Sequence, residues 1–244
     1  MRLLVTRPEP DGMKLAGLLE ERGHEATVEP LMRLSFEDCD PIYLEGAVAL
    51  VATSGNALRA LSASGMLVEA RRLPLFVVGK GTAREARRLG FEQILVGPGT
   101  AVDLVPVISA TLEPSAGLLV HLAGDRLAFD LKGELEQHGF RVVQPTVYRM
   151  LAADALSTST IDQLNDGDIE GVILMSARTA AIYARLVARH RLMSTVRSLA
   201  HFCLSTGVAG RLSSLGGVRV FVPERPALED LLAEIELTAA QWGE

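Results

Sequence analysis

The chain has 244 residues, a formal net charge of −6 and an apolar content of 48%, so it can bury a full core and global disorder is excluded. Aromatic residues make up only 5% and no dense lysine and arginine run occurs, which argues against a nucleic-acid surface. No window reaches the roughly 18 apolar residues of a membrane helix, and the first apolar segment is too short for a signal peptide. We therefore expect a cytoplasmic protein that binds neither nucleic acid nor membrane.

Short apolar runs alternate with segments of helical periodicity along the chain. Such runs, closed by Gly, Pro, Ser or Thr, are typical of buried parallel strands followed by helices. The alternation predicts an α/β fold with parallel sheets flanked by helices. In chain order the clearest strand predictions fall at residues 2–6, 25–31, 47–52, 75–78, 93–96, 117–122 and 218–222.

The segment 46–61 is the clearest unit, because an unbroken apolar run ends at a polar turn and is followed by a helix. Ser54 or Asn56 is placed to cap that helix. A second copy of the pattern covers residues 170–186, with Ser176 in the place of Ser54. Ligands of open parallel sheets bind at the carboxyl ends of the strands. The two turns therefore predict one cleft, with one turn on each side of it.

The chain also carries an internal duplication. Residues 18–31 superimpose on 134–147, and residues 75–90 superimpose on 201–216. This repetition predicts two similar domains, each with a five-stranded parallel sheet. The pieces permit two arrangements, one with domains contiguous in sequence and one with a middle domain enclosed by the other. The extended segments 31–36 and 147–152, at equivalent ends of the repeated pieces, favour the enclosed arrangement.

Several familiar catalytic and cofactor patterns are missing from the sequence. Cys39 and Cys203 have no metal-ligand spacing, so we expect reduced thiols and no metal site. The histidines are scattered, and we interpret them as core or surface residues. The Gly79-x-Gly81 turn lacks the third glycine of a dinucleotide fingerprint, because Arg84 occupies its place.

Over its whole length the chain resembles the uroporphyrinogen-III synthases of tetrapyrrole biosynthesis. Each motif of the resemblance is weak alone, and their order and spacing make it specific. The motifs are Leu4-Val5-Thr6-Arg7-Pro8, Thr53-Ser54-x-Asn56-Ala57, Val78-Gly79-x-x-Thr82-Ala83, Gly124-Asp125 with Gly139, Val147-Tyr148-Arg149, Ser176-Ala177 and Val222-Pro223.

The resemblance implies a lyase that closes the linear tetrapyrrole hydroxymethylbilane to uroporphyrinogen III, with inversion of the last pyrrole ring and loss of water. It implies no cofactor and a reaction in a cleft between two domains. The domains are expected at residues 1–34 with 151–244 and at residues 35–150, joined by a two-strand connector. A monomer is expected, and the resemblance leaves room for a transient hand-over from the preceding pathway enzyme.

The resemblance also implies the site residues. Tyr148 is expected to assist loss of the hydroxyl, because it lies where the chain crosses between domains. A polycarboxylate substrate is compatible with a net negative protein because helix N-termini receive carboxylates. One departure concerns the second copy of the Thr82 turn, where Val208 replaces a threonine. The substrate-binding candidates are Arg7, Thr53, Ser54, Asn56, Lys80, Thr82, Gly124, Arg126, Ser176, Ala177, Arg178 and Thr206.

A second function class fits the same architecture. Two small parallel α/β domains joined by two strands also describe small-molecule binding or sensor proteins of the periplasmic-binding type. Such a protein needs a sensing partner or an export signal, and the sequence displays neither an export signal nor a DNA-binding segment. A two-domain glycosyltransferase is disfavoured by the low aromatic content and by the absence of a diphosphate-binding loop.

Overall fold

A computed structural model describes residues 1–242 of the chain. The chain folds into two compact units: a first unit made of residues 1–33 and the chain from residue 151 onward, and a second unit made of residues 34–150. The chain therefore leaves the first unit once and returns to it once.

Strands and helices alternate along most of the described chain. The strands are β1 (Arg2–Val5), β2 (Glu25–Val28), β3 (Met32–Ser35), β4 (Ala47–Ala52), β5 (Leu75–Val77), β6 (Ile94–Val96), β7 (Leu118–Gly124), β8 (Arg141–Val143), β9 (Thr146–Ala152), β10 (Gly171–Leu174), β11 (Ala200–Cys203) and β12 (Arg219–Phe221). The α-helices are α1 (Asp11–Glu20), α2 (Gly55–Ala63), α3 (Leu67–Ala70), α4 (Lys80–Arg88), α5 (Leu104–Thr111), α6 (Leu131–Gln137), α7 (Thr158–Asn165), α8 (Ala177–Arg189), α9 (Met193–Val196), α10 (Thr206–Ala209) and α11 (Leu228–Trp242). Short 3₁₀ helices cover Pro114–Ala116 and Gly210–Leu215.

The first unit contains a five-stranded sheet in the order β12-β11-β10-β1-β2, and every neighbouring pair is parallel. Its central strands are mainly apolar and buried, as a parallel sheet covered on both faces requires. The exceptions are Arg2, half-buried at the start of β1, and His201, buried within β11. One face packs against α1 and α11 through Leu15, Leu19, Leu231 and Ile235.

The second unit contains a sheet in the order β3-β9-β7-β4-β5-β6, and β8 also pairs with β7. Strands β4 to β8 form the five parallel strands that the sequence predicts. β8 and β9 follow one another along the same side of β7, with the first half of β7 paired to β8 and its end paired to β9. Pro145 stands between them and has no N–H to donate, which explains the interruption of the ladder.

The prediction of five strands in each sheet is therefore too low for the second unit. The two additional strands are β3 and β9, and they are neighbours in the sheet order. Both contain a point at which the chain changes from one unit to the other. The predicted fold class, parallel sheets flanked by helices with two connecting strands, is confirmed.

Two copies of the duplicated sequence fold differently after the strand. α4 has nine residues, whereas its counterpart α10 has four and continues as a 3₁₀ helix. Gly207 of the second copy matches Gly81 of the first, whereas Gly210 stands where the first copy has Arg84. Glycine costs about 1 kcal/mol relative to alanine in a helix interior, so Gly210 favours the earlier end of α10.

The second unit carries apolar clusters on both faces of its sheet. One includes Leu50, Leu58 and Val77, and the other includes Val51, Phe76 and Leu119. All six side chains are fully buried.

We predict that residues 35–150, expressed alone, fold cooperatively, because this segment supplies both clusters from its own chain. A single sigmoidal urea transition monitored by circular dichroism is the expected result. The matched control is a fragment of residues 1–112, which contains β4 to β6 and lacks β7. Cooperative folding of the control together with an unfolded 35–150 fragment would support contiguous domains instead.

A polar cluster lies inside the core of the first unit. The His201 Nδ1 atom is 3.3 Å from the Arg219 carbonyl oxygen, and its Nε2 atom is 3.2 Å from the Tyr183 hydroxyl. Burial lowers the pKa of His201 from 6.5 to about 4, and hydrogen bonds with the Arg219 and Leu199 backbone oppose this only in part. Burial likewise lowers the pKa of His24 and of His121.

These histidines predict a loss of stability in mild acid. In the unfolded chain His201 takes up a proton below about pH 6.5. In the folded protein the imidazole of His201 remains neutral until about pH 4. The free energy of unfolding should therefore fall as the pH is lowered through this window, by about 2 kcal/mol for His201 between about pH 7.5 and pH 5. Urea unfolding at a series of pH values measures it.

His201→Asn should flatten this pH dependence, whereas the control His138→Asn, at an exposed imidazole, should leave it unchanged. NMR titration of the His201 imidazole in the unmodified protein supplies an independent measurement. A His201 pKa near the ordinary value would contradict the prediction.

Candidate active site

A cavity of about 350 Å³ lies at the carboxyl edge of the sheet in the second unit. The turns that follow β4, β5, β6 and β7 all contribute to its wall, as expected when parallel strands end at the same edge. Thr53, Ser54, His121, Gly124, Arg126 and Tyr148 are among the residues that line it.

The wall that follows β4 is a helix N-terminus. Ser54 is extended and its side chain accepts a hydrogen bond from the Asn56 N–H at 3.2 Å, so Ser54 is the cap of α2. The side-chain oxygen of Asn56 is already engaged, because Oδ1 accepts a hydrogen bond from Arg59 Nη1 at 2.6 Å. Arg59 is held in turn by Glu85 on α4, at 3.5 Å. Asn56 is not among the residues that line the cavity.

After β5 the sequence predicts a turn over residues 79–82, and the turn in the structure is shorter. Gly79 is the N-cap, so Lys80 is the first residue of α4 and Thr82 lies inside its first turn. A glycine cap supplies no side-chain acceptor, which leaves the first backbone N–H groups of α4 without that partner. Lys80 and Thr82 are not among the residues that line the cavity.

The strand before this part of the cavity is longer than the sequence predicts, since the strand was expected to end at residue 122. β7 continues through Gly124, and α6 begins at Leu131 with Asp130 as its cap. The strand is longer because it also pairs with β9, and the Ala123 N–H donates to the Pro145 carbonyl oxygen at 3.0 Å. Arg126 therefore lies in an exposed loop, from which it still lines the cavity.

Tyr148 is half-buried on β9 and its ring lies directly over Gly124. A Cβ atom placed on Gly124 would lie 2.5 Å from the ring Cζ atom and 2.7 Å from the hydroxyl oxygen. No residue of the described chain, 1–242, makes a hydrogen bond to this hydroxyl. The Tyr148 hydroxyl is therefore free to donate a hydrogen bond to a molecule in the cavity.

His121 is a cavity residue that the sequence analysis assigned to the core or the surface. Its side chain is fully buried, with Nδ1 2.9 Å from Gln144 Oε1 and Nε2 without a partner among the described residues. Burial lowers the pKa of His121, and the hydrogen bond with Gln144 opposes that shift only in part, so the ring is neutral near pH 7. The available signal was a histidine inside an otherwise apolar strand.

In the first unit, the candidates follow neighbouring strands of its sheet. Arg7 comes after β1, where its Nη2 atom lies 3.2 Å from Asp11 Oδ2 and its Nη1 atom 3.4 Å from Met175 Sδ. Ser176 comes after β10 and caps α8 by accepting the Thr179 N–H at 3.1 Å. Ala177 and Arg178 are the first two residues of that helix.

Thr206 is not the capping residue of its turn. Ser205 is extended and its hydroxyl oxygen accepts the Val208 N–H at 3.4 Å, so Thr206 becomes the first residue of α10. Ser205 and Thr206 both match the preference for hydroxyl residues at an N-cap, and Ser205 is the one with the extended backbone of that position.

The two sheet edges therefore each assemble part of the predicted set. In the second unit, Thr53, Ser54, Gly124, Arg126 and Tyr148 line one cavity, whereas Asn56, Lys80 and Thr82 do not line it. In the first unit, Arg7, Ser176, Ala177, Arg178 and Thr206 follow β1, β10 and β11, which are adjacent.

Two other features bear on the class of protein. Among residues 1–242, no group of three or more His, Cys, Asp or Glu side chains is arranged to hold a metal ion. In the same part of the chain, no helix is long and apolar enough to span a membrane.

Comparison with known proteins identifies relatives of this fold and sequence. The chain is similar to uroporphyrinogen-III synthetase from Helicobacter pylori, with a TM-score of 0.65, 16% identity and 98% of each chain covered. It is also similar to a mutant uroporphyrinogen III synthase from Thermus thermophilus, with a TM-score of 0.53, 18% identity and 100% of each chain covered. At these identities the likeness establishes the fold alone. No curated protein matched the chain.

The sequence model of one family covers most of the chain. This family is described as uroporphyrinogen-III synthase HemD, and the match extends over residues 13–233. It includes the strands and turns of both units that carry Tyr148 and Ser176, as well as the cavity residues of the second unit. The chain therefore belongs to the uroporphyrinogen-III synthase family.

Proposed function

We propose that this chain closes hydroxymethylbilane to uroporphyrinogen III, with inversion of the last pyrrole ring and loss of water. Family membership over residues 13–233 supports this reaction. The observation that carries the assignment of a site is the unpaired Tyr148 hydroxyl beside a cavity at the carboxyl edge of a parallel sheet. The same family match disfavours a binding or sensor protein. Action as a cytoplasmic monomer, with the bilane received from the preceding pathway enzyme, is part of the same proposal.

The reaction requires little covalent chemistry from the protein. Pyrrole rings are nucleophilic at carbon, so the substrate supplies its own attacking group. The bond between the hydroxymethyl carbon and its oxygen breaks, and that carbon bonds to the already bridged α-carbon of the last ring, which gives a spiro intermediate. The bond between this α-carbon and its bridging methylene then breaks, and the methylene bonds to the other α-carbon of the same ring. That carbon loses its proton, which balances the departed hydroxide as water. The protein has to assist departure of the hydroxyl, and a hydrogen-bond donor at that oxygen provides such assistance. We assign this donor to the Tyr148 hydroxyl.

The second requirement is control of a flexible substrate. Without control, the linear tetrapyrrole closes head to tail and the last ring is not inverted. Holding the reacting atoms in the productive arrangement can contribute about 7–11 kcal/mol in favourable cases. Positioning is therefore the larger part of the catalysis that we propose.

Carboxylate binding spread over several turns would supply that positioning. The N-termini of α2, α4 and α8 present backbone N–H groups and the positive end of the helix dipole at the sheet edges. Arg7, Lys80 and Arg178 lie in or beside turns that precede helices, and Arg126 adds charge from the loop that follows β7. Each exposed charge contact is worth about 1 kcal/mol or less, so no single one of them is expected to be indispensable.

Product analysis tests the proposed reaction directly. Enzymatically generated hydroxymethylbilane is supplied to the purified protein, and the oxidised products are separated by isomer. Isomer III is the expected product, formed faster than the spontaneous closure. Isomer I alone, at the rate seen without protein, would falsify the proposed function.

Tyr148→Phe tests the assignment of the donor. The change keeps the ring over Gly124 and removes only the hydroxyl, so we expect kcat to fall at least several-fold. Full general-acid assistance is worth about 10²–10⁴-fold, and a hydrogen bond alone contributes less. Thermal stability should be nearly unchanged, because the hydroxyl makes no hydrogen bond within residues 1–242.

Tyr43→Phe is the matched control, since Tyr43 lies in the same unit and is 72% exposed. It should leave kcat and stability unchanged. Full activity of Tyr148→Phe would assign Tyr148 a packing role and exclude it as the donor.

A further inference from the structure

We propose that Gly124 and Asp125 are positioning residues that fix the Tyr148 hydroxyl at the cavity, and that Gly124 acts through its missing side chain. This inference rests on the proposed function, because it assigns a purpose to the placement of Tyr148. It changes the role of Gly124 from a substrate contact to a steric one. It also adds Asp125, which the sequence analysis treated only as part of a turn.

The first element is the close approach of the Tyr148 ring to Gly124. Three ring or hydroxyl atoms of Tyr148 lie within 2.8 Å of the position that a Gly124 Cβ atom would occupy. Contacts of this length are far below ordinary carbon–carbon separation, and the obstructing atoms belong to a rigid ring held on a strand. Any side chain at position 124 would therefore displace the ring and carry the hydroxyl with it.

The second element is the end of the β7–β9 ladder. Gly124 is the last residue of β7 and pairs with Tyr148, while β9 continues to Ala152. Beyond this pair, β7 has no further strand residue to offer to β9. The register between the two strands also shifts between Ala123 and Gly124, so regular pairing alone does not hold Tyr148 in place.

Asp125 fills this gap with both its backbone and its side chain. Its N–H donates to the Tyr148 carbonyl oxygen at 3.1 Å, and its Oδ1 atom accepts the Met150 N–H at 3.2 Å. If β7 continued as a strand, the backbone carbonyl oxygen of residue 125 would accept the Met150 N–H. The Asp125 carboxylate takes the place of that carbonyl. Asp125 binds the backbone on both sides of residue 149, and so fixes the strand segment from which the Tyr148 ring projects.

Gly124 and Asp125 together restrict different freedoms of the same side chain. Asp125 fixes the backbone of β9, and Gly124, which has no side chain, leaves the space that the ring occupies. A displacement of about 1 Å at a reacting group can reduce the rate by about 10²-fold. The expected signature is therefore a loss of kcat that exists only when the Tyr148 hydroxyl is present.

A double-mutant cycle tests the proposal. Asp125→Ala and Gly124→Ala should each lower kcat by about 10- to 100-fold, but by no more than Tyr148→Phe, with a smaller change in KM. In the Tyr148→Phe background, neither change should lower kcat further. Asp125→Asn, which keeps an oxygen acceptor for the Met150 N–H, should recover most of the activity lost in Asp125→Ala.

Asp130→Ala is the matched control. Asp130 ends the same loop and caps α6 by accepting the Gly133 N–H at 3.0 Å, so its loss perturbs the loop without touching the β7–β9 pair. Any effect of Asp130→Ala on kcat should add to that of Tyr148→Phe. Urea unfolding of every variant separates loss of folded protein from loss of rate, and Gly124→Ala decides the question if Asp125→Ala does not fold.

The outcomes separate this proposal from the proposed function. Additive losses of kcat in the cycle, or an inactive Asp125→Asn protein that folds normally, overturn the positioning role while isomer III is still produced by the unmodified protein. Wild-type activity of Tyr148→Phe overturns it as well, because no hydroxyl then needs positioning. Absence of isomer III from the unmodified protein overturns the proposed function itself.

Discussion

Parallel pairing of β4 with β7 is the constraint on which the site in the second unit depends. Both strands are buried from Ala49 and Leu119 onward, and Val51 lies opposite His121 in their register. Because the two chains run in the same direction, Thr53 and Ser54 emerge at the same edge as Gly124. The cavity forms where these ends meet, and β9 adds Tyr148 to the same wall. Without this register, the turn residues would not share a cavity.

Features set by local sequence were predictable, and features set by pairing were not. The apolar run of β4 and the Ser54 cap are local, and both follow from the sequence. The end of β7 was expected at residue 122 and lies at Gly124, because the length of β7 depends on pairing with residues 146–148, which are distant in sequence. Thr206 was the predicted binding residue of its turn, and local sequence does not reveal that Ser205 is the cap, because both residues satisfy the same pattern.

Residues whose importance lies in close contacts were equally hidden from the sequence. Gly124 was expected to contact substrate, because its turn is part of the family resemblance and follows a strand of the sheet. The structure places the Tyr148 ring there instead. His121 was hidden for a related reason. Its place in an apolar strand does not reveal that burial keeps the ring neutral, or that Nε2 lacks a partner among the described residues.

Duplication of the sequence does not make the two sheet edges chemically equivalent. In the second unit the helix after β5 has nine residues, whereas the corresponding helix after β11 has four, so fewer aligned peptide dipoles contribute at Thr206 than at Lys80. The helix after β10 compensates in part, because α8 has thirteen residues and a Ser176 cap. Anion binding in the first unit should therefore centre on Ser176 and Arg7, and the shorter α10 weakens the contribution of its turn.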